Sequence, residues 1–396
     1  MAVQNSAAPA PARAAFYNDP KIRGAFYQVV LLALVAWLVY DFAMNARANL
    51  RAQNIASGFG FLGHSAGFGI NQTLVPYSEG DTYSRVFMVG LLNTLLVAGL
   101  GVLFATPLGF LIGIARLSRN WLIARLGTVY VEAIRNLPLL FQILFWYLAV
   151  LGTLPSPRQS ISIFGVIYLS NRGIIVPEPL FGSGAGIVGI VFLVGIAATI
   201  VVRIWAKRRQ EATGQQFPVF WTGLGLILGL PLLTMAVLGF PISFELPQLR
   251  GFNFVGGLRT IPEFVALLIA LVTYTAAFIA EIVRAGILAV SHGQTEAAYS
   301  LGFRPALTLR LIVIPQALRV IIPPLTGQYL NLTKNSTLAV AIGYPDLFAV
   351  FAGTTLNQTG QAIEIIAITM GVYLAISLIT SMFMNWYNAR IRLVER

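Results

Sequence analysis

Two groups of residues carry the chemistry this sequence can do. The first is a set of polar side chains lodged in apolar stretches: Thr273, Tyr274, Thr275 and Glu281 in one, and Asn331, Lys334, Asn335, Ser336 and Thr337 in another. A charge at the centre of a bilayer costs about 2.5–3.5 kcal/mol on insertion scales, so Glu281 and Lys334 need partners or water. As a set these groups supply acceptors for an ammonium and donors for a carboxylate, the two needs of a zwitterion. The competing reading is bonding between helices. For Glu281 the neighbour Arg284, one turn on, suffices, and Glu132 with Arg135 reads as the same kind of structural pair. Catalytic and metal-binding groups are not expected. The two histidines, His64 and His292, are far apart and lack metal-ligand spacing. Cysteine is absent, and no nucleophile and base converge.

The second group is the segment 291–315, SHGQTEAAYSLGFRPALTLRLIVIP. It reads as a short helix in a loop between two apolar spans. Glu296, near the start, suits the positive end of that helix. Ala297 and Ala298 keep one face small enough for a partner to approach closely. Gly302 can take the left-handed conformation that ends a helix. Pro305 and Pro315 are expected to prevent a continuous rod. Tyr299, Leu301 and Phe303 give this rigid knob apolar groups to bury in something else, and His292 is expected to contact the same partner.

The elements that position these residues belong to a membrane. The chain is 57% hydrophobic and only 10% charged, where soluble domains carry about 25% charge. Eight apolar stretches near the ~20 residues needed to cross a bilayer are predicted at 25–44, 86–115, 129–151, 187–205, 219–240, 262–290, 318–342 and 362–386. The fold class is therefore all-α and polytopic. Residues 1–24 read as a polar tail. The first span reads as an uncleaved anchor, with a signal peptide ending at Ala46-Arg47-Ala48 as the competing reading. Of the 26 basic residues, 17 fall on one side of these spans and 7 on the other, with Arg135 and Lys334 inside helices. The richer side, which includes both termini and 291–317, is expected to be cytoplasmic. That asymmetry accounts for the net charge of +12 without nucleic acid. The outer loop 45–85 contains a glycine-rich stretch at 58–70. Alternating runs in the other outer loops, such as Ile242 to Leu246, suit either small strands or ordinary loops. Gly109 with Gly113, and Gly225 with Gly229, have the spacing that lets helices approach closely. Asp346 is expected to cap the segment 347–351.

Glu296-Ala297-Ala298, three residues, Gly302, nine residues, then Ile312-Val313-Ile314-Pro315 resembles the EAA loop of bacterial ABC importer permeases, with Ile314 where the pattern has Leu. Asn93-Thr94-Leu95, Glu132 to Leu140, Tyr274 to Gly286 and Asn335-Ser336-Thr337 are similar to the polar amino-acid uptake branch of that family. The layout, with Arg250-Gly251-Phe252-Asn253-Phe254 in an outer loop, resembles the Q-type membrane subunits of general L-amino-acid transporters. The resemblance implies a type I permease domain over 86–390. Spans two, three, six, seven and eight would form its five-helix core, with an extra N-terminal helix and an inserted pair, spans four and five. It also implies partners: a homologous M-type permease, two ATPase subunits docked on the Glu296–Pro315 region, and a periplasmic amino-acid-binding protein. No GxxxxGK[ST] phosphate loop occurs, so ATP and Mg are expected on the partner ATPase, with no cofactor on this chain. The implied location is the bacterial inner membrane. A secondary transporter would need internal repeats and coupling-ion sites instead.

Overall fold

A computed structural model describes residues 20–52 and 57–391; the predicted tail falls mostly outside them. Helix α1 runs Pro20–Ala52 and exposes its described side chains along its length. A short turn of helix, Phe59–Gly63, leads into α2, Tyr83–Ala115. Then come α3 (Trp121–Asn136), α4 (Leu139–Leu151), α5 (Ala185–Thr213), α6 (Val219–Val237) and α7 (Pro262–Leu288). The knob helix α8 (His292–Ser300) is followed by α9 (Pro305–Ile342), α10 (348–359) and α11 (Ala362–Ile391). Among the described residues, seven helices are long and apolar enough to cross a membrane, or eight if the bent pair α3–α4 is one span.

The bundle is built around α7. In its most apolar window 56% of residues are buried, against 28% in α2 and 11% in α11. That gradient places α7 at the centre and leaves the outer faces of the others for lipid. Leu103, Leu111, Leu193 and Met382 are all at least 60% exposed, which in water would be an aggregation hazard. α2 and α7 touch along much of their length. A Cβ added at Gly109 would lie 2.6 Å from Ile279 Cβ, and one at Gly113 would lie 2.7 Å from the Ala280 carbonyl oxygen. The small-residue pair is what allows this approach. Gly225 and Gly229, with the same spacing, face open space. In the inserted pair it is Gly195 on α5 that meets the backbone of α6, at Leu226.

Two predicted elements need correction. The third span is not one helix from 129 to 151. It starts at Trp121, where the Asn120 side chain accepts bonds from the Leu122 and Ile123 amides. It then breaks at Leu137, and α3 and α4 meet at 107°. Leu137 is extended (φ −99°, ψ 131°) because Pro138 disfavours helical backbone in the residue before it. The seventh span does not begin at 318, and Pro315 does not interrupt it. α9 starts at Pro305 and passes through Pro315, Pro323 and Pro324. A wide turn at Leu309–Val313 precedes Pro315 and relieves the clash a proline ring makes with the carbonyl four residues back.

The alternating outer segments do form strands: β1 (Ile161–Ile163), β2 (Ile167–Ser170), β3 (Gly173–Val176), β4 (Glu178–Phe181), β5 (Ile242–Glu245), β6 (Gln248–Arg250), β7 (Asn253–Val255) and β8 (Leu258–Thr260). All pairings are antiparallel. β1-β2-β3-β8 make one sheet, β4-β5 a second and β6-β7 a third. Strands from both sides of the α5–α6 insertion thus pair with each other.

Candidate functional site

The knob is tied down at one end and bare at its surface. Gly302 (φ +80°) ends α8: its amide donates to the Tyr299 carbonyl at 2.9 Å, and the Phe303 amide to the Ala298 carbonyl at 3.1 Å. This crossed pair of bonds is a Schellman cap, which satisfies carbonyls a helix end would leave open. Ala298 is buried at 1% exposure, so the alanine face lies against the subunit. Glu296 and Ala297 point outward. Glu296 sits in the second turn rather than the first, a correction to the expected dipole contact; its carboxylate lies 3.0 Å from His292 Nδ1. Tyr299 and Leu301 are 46% and 78% exposed and Phe303 36%, so within this subunit the three apolar groups remain largely uncovered. Behind the knob Gln316 Nε2 on α9 donates to Gln294 Oε1 at 3.4 Å. Gln294 also shares a hollow with Pro315, Ile312 and Arg319. These contacts link the knob to α9.

Glu281 is held between two arginines. Arg284 Nη2 donates to Oε1 at 2.5 Å, and Arg116 at the end of α2 donates to Oε2. The i, i+3 pair was readable from sequence; Arg116, 165 positions away, was not. Its side chain is 8% exposed, against 27% for Glu281 and 32% for Arg284. The triad locks α2 to α7 on the knob side of the bundle. Glu132 and Arg135 form no ion pair with each other among the described residues. Arg135 instead stacks over the Phe278 ring at 5.1 Å.

The expected path residues separate into two environments. Thr273 donates to the Ile269 carbonyl, Ser336 to Thr333 and Thr337 to Lys334, all within their own helices. Thr275 is buried at 3% exposure, and Tyr274 packs on Phe278. Asn331 and Lys334 are exposed on α9, and Asn335 is half-buried. Lys334 has no ion-pair partner among the described residues. It sits where α9 tightens from α to 3-10 geometry at Ser336. Sequence reasoning missed the neighbouring buried network. Asn93 Nδ2 donates to the Gln72 and Pro345 carbonyls, Tyr344 Oη donates to the Asn93 carbonyl, and Thr94 accepts from the Leu347 amide. Asp346 caps α10 as expected, accepting from the Ala349 amide at 2.8 Å.

The knob thus presents exposed apolar groups at the edge of a polytopic bundle. Residues 105–393 match the family described as the binding-protein-dependent transport system inner membrane component. The chain belongs to this family. It is 55% identical over 384 residues to the general L-amino acid transport system permease protein AapQ of Rhizobium johnstonii, covering 97% of this chain and 96% of that one. It is 53% identical over 384 residues to the putative amino-acid ABC transporter permease protein YhdX of Escherichia coli, covering 96% and 97%. It is also 45% identical over 414 residues to the glutamate/glutamine/aspartate/asparagine transport system permease protein BztB of Rhodobacter capsulatus, covering 96% of each. The protein is a multi-pass inner-membrane permease subunit of an ABC importer, a transport subunit rather than an enzyme. Membership implies an ATPase and a binding protein as its partners.

Proposed function

We propose that this permease carries L-amino acids across the inner membrane and is driven through Glu296–Pro315 by a separate ATPase that holds the ATP and Mg. The observation that carries the reading is the knob itself: capped at Gly302, fixed to α9 through Gln294 and Gln316, and presenting Tyr299, Leu301 and Phe303 outward. Closure of an ATPase dimer would push this lever and rearrange the bundle. The amino-acid class is supported by the relatives named above. A homologous M-type permease completes the path, two ATPase subunits dock on the knobs, and a periplasmic amino-acid-binding protein delivers substrate. Both termini lie in the cytoplasm, as the basic loops favour.

The exposed face of α9 bearing Asn331 and Lys334 is the proposed path wall. An ammonium without a counter-ion is costly against lipid, so that face is better explained by water and a second permease. Lys334 would meet the substrate carboxylate. The test is co-purification with a partner ATPase, then ATP hydrolysis with binding protein and a panel of amino acids. Stimulation by binding protein loaded with some amino acids and not others supports the reading. Uptake without any ATPase refutes it.

A further inference from the structure

The inserted helix pair leaves a space that its own chain does not fill. At the strand end the pair is joined to the core through β3–β8, and β3 packs on α7. At the knob end a cleft of about 750 Å³ separates it from the start of α9. The walls are Thr199 and Arg203 from α5, Phe220, Leu224 and Leu228 from α6, and Arg310 from the turn that precedes Pro315. Phe220, Leu224 and Leu228 are 71%, 41% and 51% exposed.

We propose that this cleft binds one anionic phospholipid, its phosphate between Arg203 and Arg310 and its acyl chains along Phe220, Leu224 and Leu228. Four observations carry this. First, the two arginines come from segments more than a hundred residues apart, and no carboxylate lines the cleft with them. Second, neither arginine takes part in an ion pair among the described residues, so their charge is available to a ligand. Third, Trp205 lies two residues beyond Arg203 on α5 and packs on Phe217 with ring centroids 5.3 Å apart. Tryptophan is enriched at headgroup depth. Fourth, Val219, Phe220, Leu224, Ile227 and Leu228 make most of the lining apolar, a surface that hydrocarbon covers more favourably than water. Basic pockets between transmembrane helices are the usual seats of anionic headgroups. Lys207, Arg208 and Arg209 continue the positive surface along α5, although Lys207 is partly engaged with Glu211 at 3.7 Å. Because Arg310 lies in the wide turn near the start of α9, five residues after Pro305, a bound headgroup would bridge the insertion to the helix that follows the knob.

The intact transporter assembly is reconstituted in nanodiscs of phosphatidylglycerol mixed with phosphatidylcholine, and retained lipid is counted by native mass spectrometry. Phosphatidylglycerol is expected to be retained selectively. Arg203→Gln and Arg310→Gln should each lower its occupancy about fivefold, and the double variant about 25-fold. Leu228→Trp, which fills the cleft and leaves the charges alone, should also displace it. Since variants can misfold, the wild type is tested separately by exchange of spin-labelled lipids, with phosphatidylglycerol expected to be the more immobilised. Equal retention of phosphatidylcholine, undiminished phosphatidylglycerol in the double variant, or a photo-crosslinker at Leu228 that labels a partner subunit instead of lipid would each overturn the proposal. These readings do not depend on uptake, so the proposal stands or falls apart from the transport assignment.

Discussion

Gly302 isolates a purely conformational contribution to coupling. Its backbone sits at φ +80°, and a Cβ added there would meet nothing within 4 Å. Any penalty for substitution therefore comes from the left-handed backbone and not from crowding. An L-residue in that region pays roughly 1–2 kcal/mol, with asparagine the best tolerated and a β-branched residue the worst. If transport needs the capped knob, Gly302→Ala should cut it about 5- to 30-fold at saturating ATP. Gly302→Asn should cost less than alanine and Gly302→Val more. The assay is uptake into proteoliposomes holding the whole assembly, paired with basal ATP hydrolysis and with crosslinking from Tyr299 to the ATPase. Hydrolysis should persist while uptake and crosslinking fall together in the order Asn, Ala, Val. Equal uptake in all three variants, or an order unrelated to left-handed tolerance, would refute the reasoning.

Glu281→Gln removes the single carboxylate facing Arg116 and Arg284. Stripping one partner from a fully buried pair costs about 3–5 kcal/mol, and the 27% exposure of Glu281 argues for about 2 kcal/mol here; a fall in melting temperature in detergent, larger than for Arg284→Gln, checks it. Gly113→Val should abolish the folded subunit, because the new Cβ would lie 2.8 Å from Val283 Cβ, whereas Gly99→Val, with nothing within 4 Å, should behave as wild type in size-exclusion yield. Lys334→Ala should lower uptake unequally across an amino-acid panel; a uniform loss matched by loss of folded protein would place Lys334 in the scaffold instead. Glu296→Lys should uncouple hydrolysis from uptake with the protein still in the membrane, and undiminished uptake would exclude the knob as the docking element.

Features carried by local chemistry were legible in the sequence, and features carried by distant partners were not. Hydropathy pointed to the long apolar helices, because lipid imposes a length and a composition on every crossing segment, but not to the bounds of the third and seventh. The Gly302 cap, the Asp346 cap and the Glu281–Arg284 pair follow from neighbours within one or two turns. The break at Leu137 was hidden by unbroken hydropathy on both sides of it, although Asn136-Leu137-Pro138 carried the signal. Pro315 misled in the opposite way, since a wider turn at Leu309–Val313 absorbs it. Gly109/Gly113 and Gly225/Gly229 share a spacing but not an outcome, because closeness depends on what stands opposite. Alternation left strands and loops both open around Ile242, because the partners at Glu178–Phe181 lie across sixty residues of insertion, and Arg116 reaches Glu281 only once α2 and α7 are side by side.

The outer strands have a bearing on how this permease is put together. β4 pairs with β5 inside the pairing of β3 with β8, so Ile174 stands opposite Thr260 and Phe181 opposite Ile242. Opposed residues in such a ladder are only about 5 Å apart. The outgoing and returning strands of the insertion are thus held side by side by two short ladders, β3–β8 and β4–β5. Everything beyond those ladders, α5 and α6 included, hangs from the rest of the subunit like a graft whose two cut ends, Phe181 and Ile242, lie face to face.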